Sequence, residues 1–183
     1  LRAGKIVENL LDFTRARVGS GIPVDCVEGD LTAMCESIVH EVRLLHPDRV
    51  VVFAPEAPVV GKFDTSRMGQ VFSNLIENAI KHGSASSPVT VSQQLEGDHA
   101  VFLVHNEGAP IAAEDTARIF NPMMRHSQFA LEERGARAGL GLGLFIAQEI
   151  VTAHGGTLKV TSSAASGTTF RVRLPLQIAT SGE

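Results

Sequence analysis

The chain has 183 residues, 44% hydrophobic and 20% charged, a balance that supports a buried core and excludes a disordered segment. Its 16 Lys and Arg against 20 Asp and Glu leave a net charge of -4, which argues against a broad basic face for nucleic acid. No apolar run reaches the roughly 18 residues needed to span a bilayer, and two cysteines, Cys26 and Cys35, fit a reducing compartment rather than a disulfide framework.

The first predicted helix runs from Leu1 to about Val18, with Ala3, Ile6, Leu10 and Phe13 spaced as a narrow apolar seam suited to a bundle or coiled coil. Gly19 to Pro23 reads as a linker. A second helix spans Leu31 to Leu45 and stops before Pro47. Val50–Phe53 reads as a buried strand and Val59–Phe63 as a weaker one. The third helix covers Ser66 to His82, with Asp64 or Thr65 as its cap and Gly83 as its stop. Strands at Val89–Leu95 and Ala100–Asn106 flank a Gly97-Asp98 turn. Glu114 to Ile119 reads as a short helix, and the stretch from Asn121 to Leu142 as irregular. A helix from Leu144 to His154 ends at Gly155-Gly156. Strands Leu158–Ser163 and Thr168–Leu174 close the chain. In the last one Phe170, Val172 and Leu174 alternate with Arg171 and Arg173, so one sheet face is packed and the other wet. The order implies an α/β (α+β) arrangement, two-layered, with helices over one face of a mixed, largely antiparallel sheet.

Two segments carry polar chemistry. At 100° per residue, Met68, Val71, Phe72, Leu75, Ile76 and Ala79 share one face of the third helix. Asn74, Asn78 and Lys81 form a stripe along the edge of that face. A carboxamide oxygen is a hard neutral ligand suited to Mg2+, and an ammonium suits a phosphate. The plain alternative is a polar helix edge facing water. Glu77 points away from the core. His82 borders the core face, as packing or as a phosphate donor. The second segment, Gly139-Leu140-Gly141-Leu142-Gly143-Leu144, opens a helix. Glycines let a backbone approach a ligand, and helix N-terminal amides attract anions. Alone this pattern is weak, and it is neither the dinucleotide fingerprint nor a GxxxxGK[ST] loop.

In combination the segments are far more specific. Asn74 to His82 resembles the N box of sensor histidine kinases, Asn106 to Ile111 their G1 box, Ile119 to Arg125 their F box and Gly139 to Leu144 their G2 box. His154-Gly155-Gly156 and Gly167 to Phe170 resemble the closing segment. The resemblance covers about Ile22 to Pro175 and implies the Bergerat-type sandwich shared with gyrase, Hsp90 and MutL. It implies ATP and Mg2+ as cofactors. Asn78 would ligate the metal, and Asn74 would position metal and phosphates. Lys81, His82 and Arg125 would contact phosphates, with Asn74, Lys81 and Arg125 serving catalysis. Asn121–Ala138 would form a lid. Residues Gly139, Leu140, Gly141, Leu142, Gly143 and Leu144 would line the phosphates through backbone amides. Asn106, Gly108, Ile111 and Thr168 would hold adenine.

The departures are Asn106, where the family usually has an Asp that accepts from the adenine amino group, Pro110 for a glycine, and Met123 for an aromatic. The carboxamide can still accept, without charge assistance. Leu10 to Arg15 resembles the end of the second helix of a dimerisation and phosphotransfer hairpin. The resemblance therefore implies residues 1–19 as the end of that hairpin and 20–183 as the catalytic ATP-binding domain. The chain starts at Leu1 rather than Met, with no signal-peptide pattern, and is expected to be a piece of a longer protein. The phosphoacceptor histidine would lie upstream, leaving this piece inactive in autophosphorylation alone. Implied partners are that histidine, a response regulator receiver domain and a second copy of the parent. The implied location is a cytoplasmic domain of a soluble or inner-membrane-anchored parent. Two other readings are a gyrase- or MutL-type ATPase, disfavoured because Asn74 stands where those enzymes place a basic Glu, and a non-catalytic interaction module.

Overall fold

The third helix organises the molecule. The computed structural model describes residues 2–19, 21–116, 118–122 and 141–176, without the side chains of 2, 3, 5 and 6. The element order is α1 (Arg2–Arg17), β1 (Val27–Asp30), α2 (Leu31–Leu45), β2 (Val51–Pro55), β3 (Val60–Phe63), α3 (Thr65–His82), β4 (Val89–Glu96), β5 (His99–Asn106), α4 (Ala113–Thr116), α5 (Gly143–Ala153), β6 (Thr157–Ser163) and β7 (Gly167–Pro175).

Five strands form the main sheet in the order β2-β4-β5-β7-β6, parallel between β2 and β4 and antiparallel elsewhere. Helices α2, α3 and α5 pack on one face of it. The two-layer sandwich expected from the sequence is thus the fold. The alternation of β7 holds, with Phe170, Val172 and Leu174 fully buried and Arg171 and Arg173 on the wetter face. On α3 the predicted apolar set, Met68 through Ala79, is completely buried, because the 3.6-residue period places it on a single stripe.

One reading is corrected, and two features are added. Val27–Asp30 is a strand that sequence patterning does not reveal, since Val27 is its one apolar residue. It pairs antiparallel with β3 in a separate two-stranded ladder. The short helix covers Ala113–Thr116 and leaves Arg118 in a turn, so it does not reach Ile119. The apolar seam of α1 is divided. Phe13 packs edge-on against Phe145 of α5, with ring centroids 5.8 Å apart, whereas Leu10 is exposed.

Polar ties complete the docking of α1. Asp12 is 1% exposed and pairs with Arg67 of α3 at 2.6 Å. Gln70 of α3 donates to the Asn9 side chain at 3.2 Å. Among the described residues no helix is long and apolar enough to cross a membrane.

Candidate functional site

The start of α3 is fixed by reciprocal side-chain bonds. Asp64 accepts from the Arg67 and Asp25 backbone N–H groups, both at 3.0 Å. Its own N–H donates to His154 Nε2 at 3.0 Å. His154 Nδ1 lies 2.8 Å from the Ile150 carbonyl, so the ring is the neutral tautomer that donates there. The buried His154 therefore ties the end of α5 to the start of α3, a structural task.

The predicted polar stripe lies further along. Asn74 is 9% exposed, and its Nδ2–H donates to the Gly143 carbonyl at 3.1 Å. This bond joins the edge of α3 to the first turn of α5. Asn78, one turn later, is half-buried, while Lys81 and His82 are exposed. His82 is thus a surface group, not core packing. Glu77 is half-buried, not fully solvated, and accepts from Ser73 at 3.1 Å.

Of the glycine-rich segment, Gly139 and Leu140 lie outside the described residues, as do Arg125, Met123 and most of the expected lid. Phe120, just before that stretch, packs edge-on against Phe170 at 6.4 Å. Gly141 has φ 68°, a left-handed turn that suits glycine. Leu142 points into the core, so only its backbone remains for a ligand, and Leu144 packs partly buried against the same core. Leu142 is the N-cap of α5 and no side chain caps the helix there. Among the described residues, the first-turn amides of Gly143, Leu144 and Phe145 have no side-chain cap, which is the condition for anion binding.

The end of α3 is clasped to the end of β5. Arg49 Nη1 donates to the Ile80 carbonyl at 2.7 Å and Nη2 to the Ser84 carbonyl at 3.1 Å, satisfying acceptors the helix leaves open. Ser84 N–H donates to the Glu107 carbonyl at 2.6 Å. Gly108 then passes so close that a Cβ on it would lie 2.7 Å from the His82 carbonyl oxygen, and its φ of 155° disfavours other residues.

Beyond the clasp, three strand ends form a row. Asn106 on β5 faces Thr168 on β7, which faces Ser162 on β6. Asn106 is 4% and Thr168 6% exposed. Asn106 Nδ2–H donates to the Glu107 carbonyl at 3.3 Å, leaving Oδ1 as the acceptor of that carboxamide. The Ser162 and Thr168 hydroxyls are 2.7 Å apart, and the Ile111 N–H donates to Ser162 Oγ at 2.9 Å. Arg49 and Ser162 are absent from the sequence-based set. The partners of Arg49 are 31 and 35 residues away, and those of Ser162 are 51 and 6 residues away, the nearer one across a strand pair.

The structure therefore joins Asn74 to Gly143, the end of α3 to Gly108, and Asn106 to Thr168 and through Ser162 to Ile111, with Asn78 and Lys81 on the same helix as Asn74. Away from this arrangement, the fold displaces the titration of Cys35, Glu96 and Asp98. Burial pushes the Cys35 thiol up to about 12. Hydrogen bonds from Gln94 and then Arg171 hold Glu96 low, and His99 holds Asp98 low. A groove of about 690 Å³ opens at the opposite end of α3, over Met34, Ile38 and Gly69, away from these amides and amines. Carboxamides, an ammonium and helix amides are equipped to bind anions and hydrogen-bonding rings.

The family described as histidine kinase-, DNA gyrase B-, and HSP90-like ATPase matches residues 63–178. The bacteriophytochrome of Pseudomonas aeruginosa is 33% identical over 181 residues, covering 99% of this chain and 24% of that protein. The probable sensor histidine kinase TcrY of Mycobacterium tuberculosis is 33% identical over 176 residues, covering 96% and 36%. The chain thus spans about a quarter to a third of the length of these curated relatives. Among solved structures, full-length ShkA in complex with AMPPNP is similar with a TM-score of 0.77 and 23% identity, over 96% of this chain and 36% of that one. The mycobacterial sensor histidine kinase MprB gives 0.71 and 24%, over 84% and 99%. These two likenesses carry the fold. On the match over residues 63–178, the chain belongs to the histidine kinase-, DNA gyrase B- and HSP90-like ATPases.

Proposed function

We propose that this chain is the ATP-binding catalytic portion of a sensor histidine kinase. It binds Mg-ATP and presents the γ-phosphoryl group to a histidine carried upstream on the helix hairpin whose last part is residues 1–19. Residues 20–183 form the nucleotide-binding domain. The parent acts as a homodimer, passes the phosphoryl group to a response regulator and holds this domain in the cytoplasm.

The observation that carries the reading is the 3.1 Å bond from Asn74 to the Gly143 carbonyl. It sets the polar edge of α3 against the uncapped start of α5, where phosphate oxygens meet oriented amides. Asn78 fits a hard divalent cation, because its side-chain oxygen is neutral and hard and half-exposed beside Asn74. Bound Mg2+ supplies charge neutralisation of the phosphates. Lys81 adds a positive point charge on the same edge. Asn106, Ile111 and Thr168 hold the base, with Asn106 Oδ1 accepting from its amino group. Arg125, in the segment outside the described residues, contacts the transferring phosphate.

A water-activating ATPase is disfavoured on the same geometry. Asn74 is an amide that donates its hydrogen to Gly143, and an amide cannot take a proton from water.

Titration of the chain with a fluorescent ATP analogue, with and without Mg2+, tests the reading. Saturable, Mg2+-dependent binding is expected. No saturable binding at millimolar nucleotide overturns it. Asn78→Ala should remove the Mg2+ dependence while circular dichroism remains unchanged, and normal Mg-ATP binding by that variant overturns the metal assignment. Mixing the chain with a fragment bearing the upstream helix should yield labelled phosphohistidine.

A further inference from the structure

We infer that Ser162 is a positioning residue for the base-binding end of the site, acting through Thr168 and the Ile111 backbone. The inference rests on the reading that this site takes a purine nucleotide, and it assigns to Ser162 a task that lies outside the motifs carrying the resemblance.

The geometry is a chain of three polar atoms. Ile111 N–H donates to Ser162 Oγ at 2.9 Å, and Ser162 Oγ lies 2.7 Å from Thr168 Oγ1. A hydroxyl has one donor and two acceptor pairs. Ile111 occupies one acceptor pair of Ser162. The Ser162–Thr168 bond then runs in either direction. When Ser162 donates, the Thr168 proton is released toward a ring nitrogen of a bound base. When Thr168 donates, its oxygen is left as an acceptor. In either direction the bond holds the Thr168 hydroxyl in place for the base.

Ser162 also fixes the turn that follows the clasp. Residues 107 to 111 leave the end of β5, and their first carbonyl is held by Ser84 N–H. The Ile111 N–H is held by Ser162, on the far side of β7. The turn is tied at both ends across three strands, so Ile111 is placed before a ligand arrives. A loop placed in advance saves ordering entropy on binding. Ser162 itself is half-exposed on the outermost strand, which makes its removal tolerable to the fold.

Calorimetric titration of the 183-residue chain with Mg-ADP, paired with thermal melting and amide exchange at Ile111, tests this. Ser162→Ala should weaken ADP by about fivefold, the effect of one lost hydrogen bond, with a near-unchanged melting temperature and faster exchange at Ile111. Ser162→Thr restores the hydroxyl on a strand-compatible residue and should return affinity to the wild-type level. Ser163→Ala, whose hydroxyl bonds Ser166 at 2.6 Å, should leave ADP affinity unchanged. ADP affinity unchanged in Ser162→Ala, or lost and not rescued by Ser162→Thr, overturns the inference while leaving the nucleotide reading in place. Absence of ADP binding by the wild-type chain overturns both.

Discussion

The two halves of the site are built on different principles. At the sheet end, Asn106, Thr168 and Ser162 come from three strands, and their polar groups bond within the protein. At the helix edge, Asn74 is stitched down, but Asn78 is half-exposed and Lys81 and His82 are exposed. The sheet end is formed in advance and can discriminate a ring by shape and hydrogen bonding. The helix edge carries its ammonium, Lys81, at an exposed position. On the proposed reading, specificity belongs to the first half and charge neutralisation to the second. The halves meet where Ser84 N–H reaches the Glu107 carbonyl and Gly108 lies against His82.

The severest test of that division breaks the meeting point. In Gly108→Ala the new Cβ falls 2.7 Å from the backbone oxygen of His82, and the φ of 155° is strained for any side chain. Backbone cannot yield as a flexible side chain would. A loss of about 2–4 kcal/mol is expected in urea unfolding, together with loss of nucleotide binding. A variant of wild-type stability would mean that the halves are not mechanically joined here.

Arg49→Met loosens the helix edge alone. It removes donors to the Ile80 and Ser84 carbonyls. It also removes Arg49 Nε, a buried N–H without a partner among the described residues, so part of the cost is offset. A net loss of about 1–2 kcal/mol is expected. ATP affinity should fall while Ile111 keeps its slow amide exchange. Faster exchange at Ile111 would show that the two halves loosen together.

Legibility in the sequence follows the same division. The stripe on α3 is readable because helical period is a local property, and Met68 to Ala79 obey it without exception. Its cap Asp64 and stop Gly83 are likewise local. In the row Asn106–Thr168–Ser162, Asn106 and Thr168 are reached only through the resemblance and Ser162 not at all, because the row depends on register between residues 6 to 62 positions apart. Nothing in the residues around Ser162 distinguishes it from its neighbour Ser163. β1 escapes for another reason. Its ladder with β3 is largely exposed at Val27 and Glu28, so no alternation is imposed on it. The apolar seam on α1 was readable as apolar, but which residues face α5 is decided by Phe145 and Arg67, far along the chain.

Asn106→Asp gives the finest test, because it changes charge at the sheet end with almost no change in shape. Asn106 Nδ2–H donates to the Glu107 carbonyl at 3.3 Å. A carboxylate there has no hydrogen to give and brings a charged oxygen against that carbonyl in a position 4% exposed. The free protein should lose roughly 3 kcal/mol or more, because a buried carboxylate facing a carbonyl oxygen is an unpaired charge as well as a lost hydrogen bond. With nucleotide bound the sign reverses. A charged acceptor holds an amino hydrogen roughly twice as strongly as a neutral one. The melting temperature of the free variant should fall, while the increase on adding Mg-ATP should exceed that of the wild type. If both the free stability and the nucleotide-induced increase fall, Asn106 Oδ1 does not face the base. Its amide then serves the turn at Glu107, and discrimination rests with Thr168 and Ile111.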